Sequence, residues 1–82
     1  MLSSEQIRAA RALLDWTGAR LANECGLSLL TIRRMEGPIG PGRSSAANVA
    51  AVKSALESAG VIFVLPDEEG GPGVRLAKCY PD

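Results

Sequence analysis

Histidine is absent from the 82 residues, and the aromatic side chains number three: Trp16, Phe63 and Tyr80. Without histidine no serine or cysteine can be paired with an imidazole base, which removes the commonest nucleophilic catalysts. The two cysteines, Cys25 and Cys79, lack metal-site spacing, and no histidine completes a site. No metal and no other cofactor is expected. Cys25 falls in an apolar slot of an expected helix and reads as a buried thiol. With so few aromatics the core must be built from Leu, Val, Ile and Ala. A core of this size stabilises a lone protomer thinly, so association of copies is an early expectation. No apolar run approaches the roughly 20 residues of a membrane span, and the N-terminus, polar by Ser3, does not resemble a signal peptide. The expected setting is a reducing cytoplasm, with no membrane and no small-molecule ligand.

Charge of one sign is also missing: nine basic residues balance nine acidic ones. Neutrality argues against a nucleic-acid binder, because phosphate binding is driven by Lys and Arg. The distribution argues the other way. Residues 1–54 hold seven basic residues (Arg8, Arg11, Arg20, Arg33, Arg34, Arg43, Lys53) against four acidic ones. Residues 55–82 hold two basic residues against five acidic ones. A basic front and an acidic back suit a protein with one DNA-facing side.

Capping residues punctuate the chain. Ser3 with Gln6 has capping-box spacing, and Ile7, Ala10 and Leu14, widened by Leu13, form the stripe of a first helix ending near Trp16. Thr17 opens a second helix with Leu21, Ala22 and Cys25 inward, stopped by Gly26. Ser28 opens a third, with Ile32 and Met35 as its buried pair, ended by Gly37-Pro38. Residues 37–45, GPIGPGRSS, read as a loop. A fourth helix is expected from about Ala46 to Ala59, with Val49, Val52, Leu56 and Ala59 as its apolar stripe and Ala47, Ala51, Ser54 and Ser58 as a small face. The period then changes: Val61–Leu65 reads as a strand, residues 66–73 as an acidic, glycine-rich loop, Val74–Ala77 as the returning strand, and 78–82 as a frayed tail. Asp67, Glu68 and Glu69 read as a solvated cluster. Gly70-Gly71-Pro72-Gly73 lacks the Lys-Ser/Thr and the following helix of a phosphate loop. No enzyme is expected.

Two short helices joined at a glycine, with a new cap two residues on, have helix-turn-helix geometry. Ala22 stands at the crossing, Gly26 at the turn, and Ile32 plugs the second helix against the first. On Ile7, Ala10, Arg11, Leu14, Trp16, Thr17, Leu21, Ala22, Gly26, Leu27, Ser28, Thr31, Ile32, Met35 and Glu36, residues 4–36 resemble the Cro and phage-repressor domains of the xenobiotic-response-element family. The resemblance implies a lambda-repressor-like bundle, mostly α, of about four helices, here followed by a C-terminal β-hairpin. It also implies a sequence-specific regulator that lays its third helix in the major groove of double-stranded DNA. Base contacts then fall to Leu29, Leu30, Arg33 and Arg34, with Thr31 at a phosphate and Thr17 and Ser28 at the helix starts. Arg20 and Arg43 flank the motif as phosphate candidates. Arg11 either pairs with Glu36, as in the family, or joins the basic face.

Three features depart from the family. Gly18 stands where a glutamine usually opens the first motif helix, Leu29 and Leu30 replace a polar pair, and a hairpin replaces further helices. The leucines either touch thymine methyls or belong to the core, and Arg33 and Arg34 either read bases or form a solvated face. The expected organisation is a DNA-binding unit over 1–60 and a dimerising hairpin over 61–77 in the same compact body. Val61, Ile62, Phe63, Val64, Leu65, Val74 and Leu76 are the interface candidates of a homodimeric repressor on an inverted repeat. The rival expectation is a protein-binding module, an antiactivator or antitoxin with a protein antagonist or target, that no longer binds DNA.

Overall fold

Four hydroxyls start four helices. In a computed structural model describing residues 2–77, Ser3, Thr17, Ser28 and Ser45 accept hydrogen bonds from the amides of Gln6, Arg20, Thr31 and Asn48. Such a cap stabilises a helix by about 1 kcal/mol. The helices are α1 (Ser4–Leu14), α2 (Gly18–Cys25), α3 (Leu29–Met35) and α4 (Ala46–Ser58), and the strands β1 (Val61–Val64) and β2 (Gly73–Leu76) pair antiparallel. The fold is the expected one: mostly helical, four helices and a C-terminal hairpin. The expected tail over 78–82, with Cys79, lies outside the described residues. No described helix is long and apolar enough to cross a membrane.

The core is aliphatic throughout. Ile7 and Ala10 of α1, Leu21 and Ala22 of α2, Ile32 and Met35 of α3, and Val52 and Leu56 of α4 are buried, and Leu2 and Val61 close the ends. α2 packs on both α3 and α4, while β1 lies on α4 and β2 along α1. Gln6 joins the two halves of the fold. Its carboxamide oxygen accepts from the Ser3 amide to complete the capping box, and its nitrogen donates to the Gly73 carbonyl of β2 at 3.1 Å.

Several boundaries differ from expectation. α1 stops at Leu14, not near Trp16, because Asp15 adopts a left-handed conformation (φ 56°) and sends its amide back to Ala12 and Arg11. Aspartate is one of the few non-glycine residues that tolerate this. Leu13 faces outward, so the α1 stripe runs through Leu14 alone at that end. The expected loop over 37–45 contains a turn of 3-10 helix, Gly40–Arg43, whose own Pro41 is buried. Ser45, the last residue of that loop, caps α4. β1 ends at Val64, one residue early, and β2 begins at Gly73 and ends at Leu76, one residue early at each end.

One ion pair ties the first helix to the third. Arg11 donates from Nε and Nη2 to the two carboxylate oxygens of Glu36, each at 2.8 Å, and from Nη1 to the Trp16 carbonyl at 3.0 Å. Arg8 donates to the backbone carbonyl of Glu36 at 2.6 Å. Of the two alternatives for Arg11, the pairing with Glu36 is the one formed. Replacing Arg11 by alanine strips a mostly buried carboxylate of a two-pronged partner and is expected to cost about 2 kcal/mol. Arg11→Lys, which keeps the charge without the fork, recovers only part of that. Urea denaturation measures both, and an unchanged midpoint in Arg11→Ala would show that the clasp contributes nothing.

Candidate nucleic-acid interface

The turn before α3 decides which side chains it offers to solvent. Gly26 ends α2 at φ 73°, a conformation that suits glycine, and the amides of Gly26 and Leu27 both return to the Ala22 carbonyl. Two residues later Ser28 caps α3. Ile32 and Met35 then face the core, fully buried, and Leu30, Arg33 and Arg34 face outward.

The six arginines of the basic front divide into two groups. Arg8 and Arg11 are held by Glu36. Arg20 lies over the Trp16 ring, 4.8 Å from its centroid, and pairs with Glu24 at 2.8 Å. Arg20 thus has a ring and a carboxylate beside it while its side chain stays 54% exposed, a surface pair that holds the guanidinium only weakly. Arg33, Arg34 and Arg43 are exposed, and among the described residues they enter no ion pair. These three line one open groove of about 710 Å³ between α3, the 3-10 turn and the start of α4, together with Thr31, Ser45 and Asn48. The groove reaches the start of α4 at Ser45 and Asn48, a helix N-terminus that carries partial positive charge. It is an anion-seeking surface made from two helices and the loop between them.

The sequence reading does not single out Ser44, Ser45 or Asn48 as part of this surface. The signal that was available is the cap spacing Ser45-x-x-Asn48, which announces a helix start beside Arg43. Thr17 and Ser28, like Ser45, accept a cap hydrogen bond with the hydroxyl oxygen and keep a proton to donate, and Ser28 Oγ also shares a 2.9 Å hydrogen bond with Thr31 Oγ1.

The two leucines separate. Leu29 is half-buried against the core, and a Cβ built on Gly18 would stand 3.3 Å from its Cδ1. Leu30 is 56% exposed. Leu29 thus packs over Gly18 closely enough that a side chain at position 18 would require its tip to shift.

The hairpin candidates divide as well. Val61 is buried in the core, and Phe63, Val74 and Leu76 are half-buried against it within the protomer. This follows from the strand period, since register pairs Val61 with Leu76 and Phe63 with Val74 on one face. Ile62 and Val64 face outward, and Leu65, beyond the strand, is 74% exposed. Asp67 accepts the amides of Glu69 and Gly70 at 2.9 and 3.0 Å, so the acidic loop is organised as a tight turn. Burial pushes the half-buried Cys25 thiol above its ordinary pKa, which keeps it protonated and unreactive.

Comparison with protein-family models, with curated proteins and with solved structures returns no match to this chain.

The split between the leucines has a direct consequence. Leu29→Ala is expected to lower stability by about 1–2 kcal/mol through lost packing, and Leu30→Ala to stay within about 0.5 kcal/mol of the parent. Denaturant melts of the two variants check this. Equal losses would mean that Leu30 too is part of the core.

Proposed function

We propose that this chain is a sequence-specific, double-stranded-DNA-binding transcriptional regulator that inserts α3 into the major groove and acts as a dimeric repressor. The observation that carries the reading is the sorting of the arginines. Of the six in residues 1–54, Arg8, Arg11 and Arg20 make side-chain hydrogen bonds within the fold, and the three that make none among the described residues, Arg33, Arg34 and Arg43, converge on one groove beside α3 and a helix N-terminus. A neutral chain arranged in this way concentrates its positive potential where a polyanion would lie. Arg33 and Arg34 are assigned to base edges, where an arginine suits guanine O6 and N7. Arg43, Ser45 and the amides of α4 are assigned to phosphates. The resemblance of residues 4–36 to Cro-like domains supports the same assignment. The proposed target carries with it a cytoplasmic location, no enzymatic activity and no cofactor.

Dimerisation through the hairpin belongs to the same proposal. A two-stranded sheet with Ile62 and Val64 turned to water is marginal by itself, and its outer face is self-complementary. The exposed Arg75 lies across from Ile62, and the acidic turn lies at the hairpin's far end, so a two-fold axis would bring each Arg75 towards the other copy's acids. Two copies of α3 would then meet half-sites about 34 Å apart on an inverted repeat. The exposed Leu30 and Ile39 (65%) give the protein-binding alternative its support, and salt separates the two. Counterion release makes DNA binding fall steeply with salt, whereas an apolar protein contact does not weaken.

Two measurements follow. Arg34→Ala is expected to cost about 1–3 kcal/mol of binding to a selected duplex and to relax preference at one base pair, while Arg43→Ala weakens all duplexes alike. If Arg33→Ala and Arg34→Ala both bind like the parent, α3 is not the reading helix. Val64→Asp is expected to convert a sedimenting dimer to monomer. A parent that is already monomeric at tens of micromolar, or a variant that stays dimeric, would remove the hairpin from the interface.

A further inference from the structure

Leu30 is the one large apolar side chain that α3 turns fully outward, and it lies on the face that also carries Arg33 and Arg34. The positions i, i+3 and i+4 of a helix are surface neighbours about 5–6 Å apart. On the side of Leu30 away from the arginines, towards the start of α3, little hydrogen-bonding capacity is left. Leu29 is turned towards Gly18. Ser28 Oγ accepts the Thr31 amide, and the Ser28 and Thr31 hydroxyls share a hydrogen bond with each other. The first turn of α3 thus has its polar side chains tied to one another and presents one isobutyl group. The packing of Leu29 over Gly18 and of Ile32 in the core fixes the roll of the helix, so Leu30 holds its outward position when α3 docks.

Base edges in the major groove are donors and acceptors with one apolar feature, the methyl group on C5 of a pyrimidine. We propose that Leu30 reads such a C5-methyl group, one or two base pairs from a guanine contacted by Arg33 or Arg34. The inference rests on the DNA-binding reading and adds the chemistry that gives it specificity. Thymine carries this methyl group, and so does 5-methylcytosine.

The test uses the full chain and a fluorescent duplex recovered by the protein from a randomised pool of short duplexes. Each thymine is replaced in turn by uracil, which removes the methyl and leaves pairing intact. The replaced position is also rebuilt as a C·G pair with and without a C5-methyl group. The expected result is a loss of about fourfold at one position on going to uracil, the worth of one buried methyl group, and indifference to the same replacement in Leu30→Ala. Equal binding of the thymine and 5-methylcytosine duplexes identifies the methyl group alone as what is read. Preference for thymine over 5-methylcytosine, with uracil weaker than both, assigns the contact to thymine. Leu30→Met, which keeps an apolar tip, is expected to retain the uracil effect. If no position responds to uracil or to methylated cytosine, or if the response persists in Leu30→Ala, the inference is overturned while DNA binding stands. Failure to recover any duplex overturns both.

Discussion

The position of α3 depends on the guanidinium of Arg11. α3 is only seven residues long, too short to hold a helical shape in water by itself. It is stabilised by Ser28 at its start, by Ile32 and Met35 against the core, and at its end by α1. There Arg11 grips both oxygens of Glu36, and Arg8 takes the Glu36 carbonyl. Hydrogen bonding to Glu36 raises the Arg11 pKa further above its already high value, so the guanidinium keeps its charge. Because α1 is anchored through Gln6 to β2, a connected path runs from the hairpin through α1 to the far end of α3.

That path explains how a neutral chain can present a positive surface. Acidic residues on the basic front pair with some of its cations: Glu36 with Arg11, and Glu24 with Arg20. The remaining arginines, Arg33, Arg34 and Arg43, project from α3 and the turn that follows it. The excess of acids sits in the hairpin loop, at Asp67, Glu68 and Glu69. Net charge therefore says less about partners here than the bookkeeping of which charges are already paired.

Much of the fold was legible because helix starts and apolar periods are local. Ser3, Thr17 and Ser28 marked three helices, Gly26 the turn, and the β-branched run after Gly60 the change to strand. What escaped notice depends on tertiary context. The left-handed Asp15 carries no glycine signal, and the 3-10 turn is a single short turn whose own Pro41 is buried. The site was legible in type but not in membership. Sequence spacing gave Leu29 and Leu30 equal standing, and only the hollow over Gly18 separates them. Spacing also credited Arg20 with a free charge, although Trp16 and Glu24 lie beside it. It placed all of the hairpin's apolar residues at an interface, although four of them lie in or against the protomer's own core.

The central claim is that α3 and the groove behind it are the surface that meets DNA. Amide chemical-shift mapping during titration with a short duplex at low salt tests it most directly. Shifts are expected to cluster at residues 28–37 and 43–48 and to reverse on adding salt, with α1 and the hairpin turn at 67–70 unmoved. Shifts confined to the hairpin or to α1, or a spectrum that does not respond to duplex at all, would contradict it.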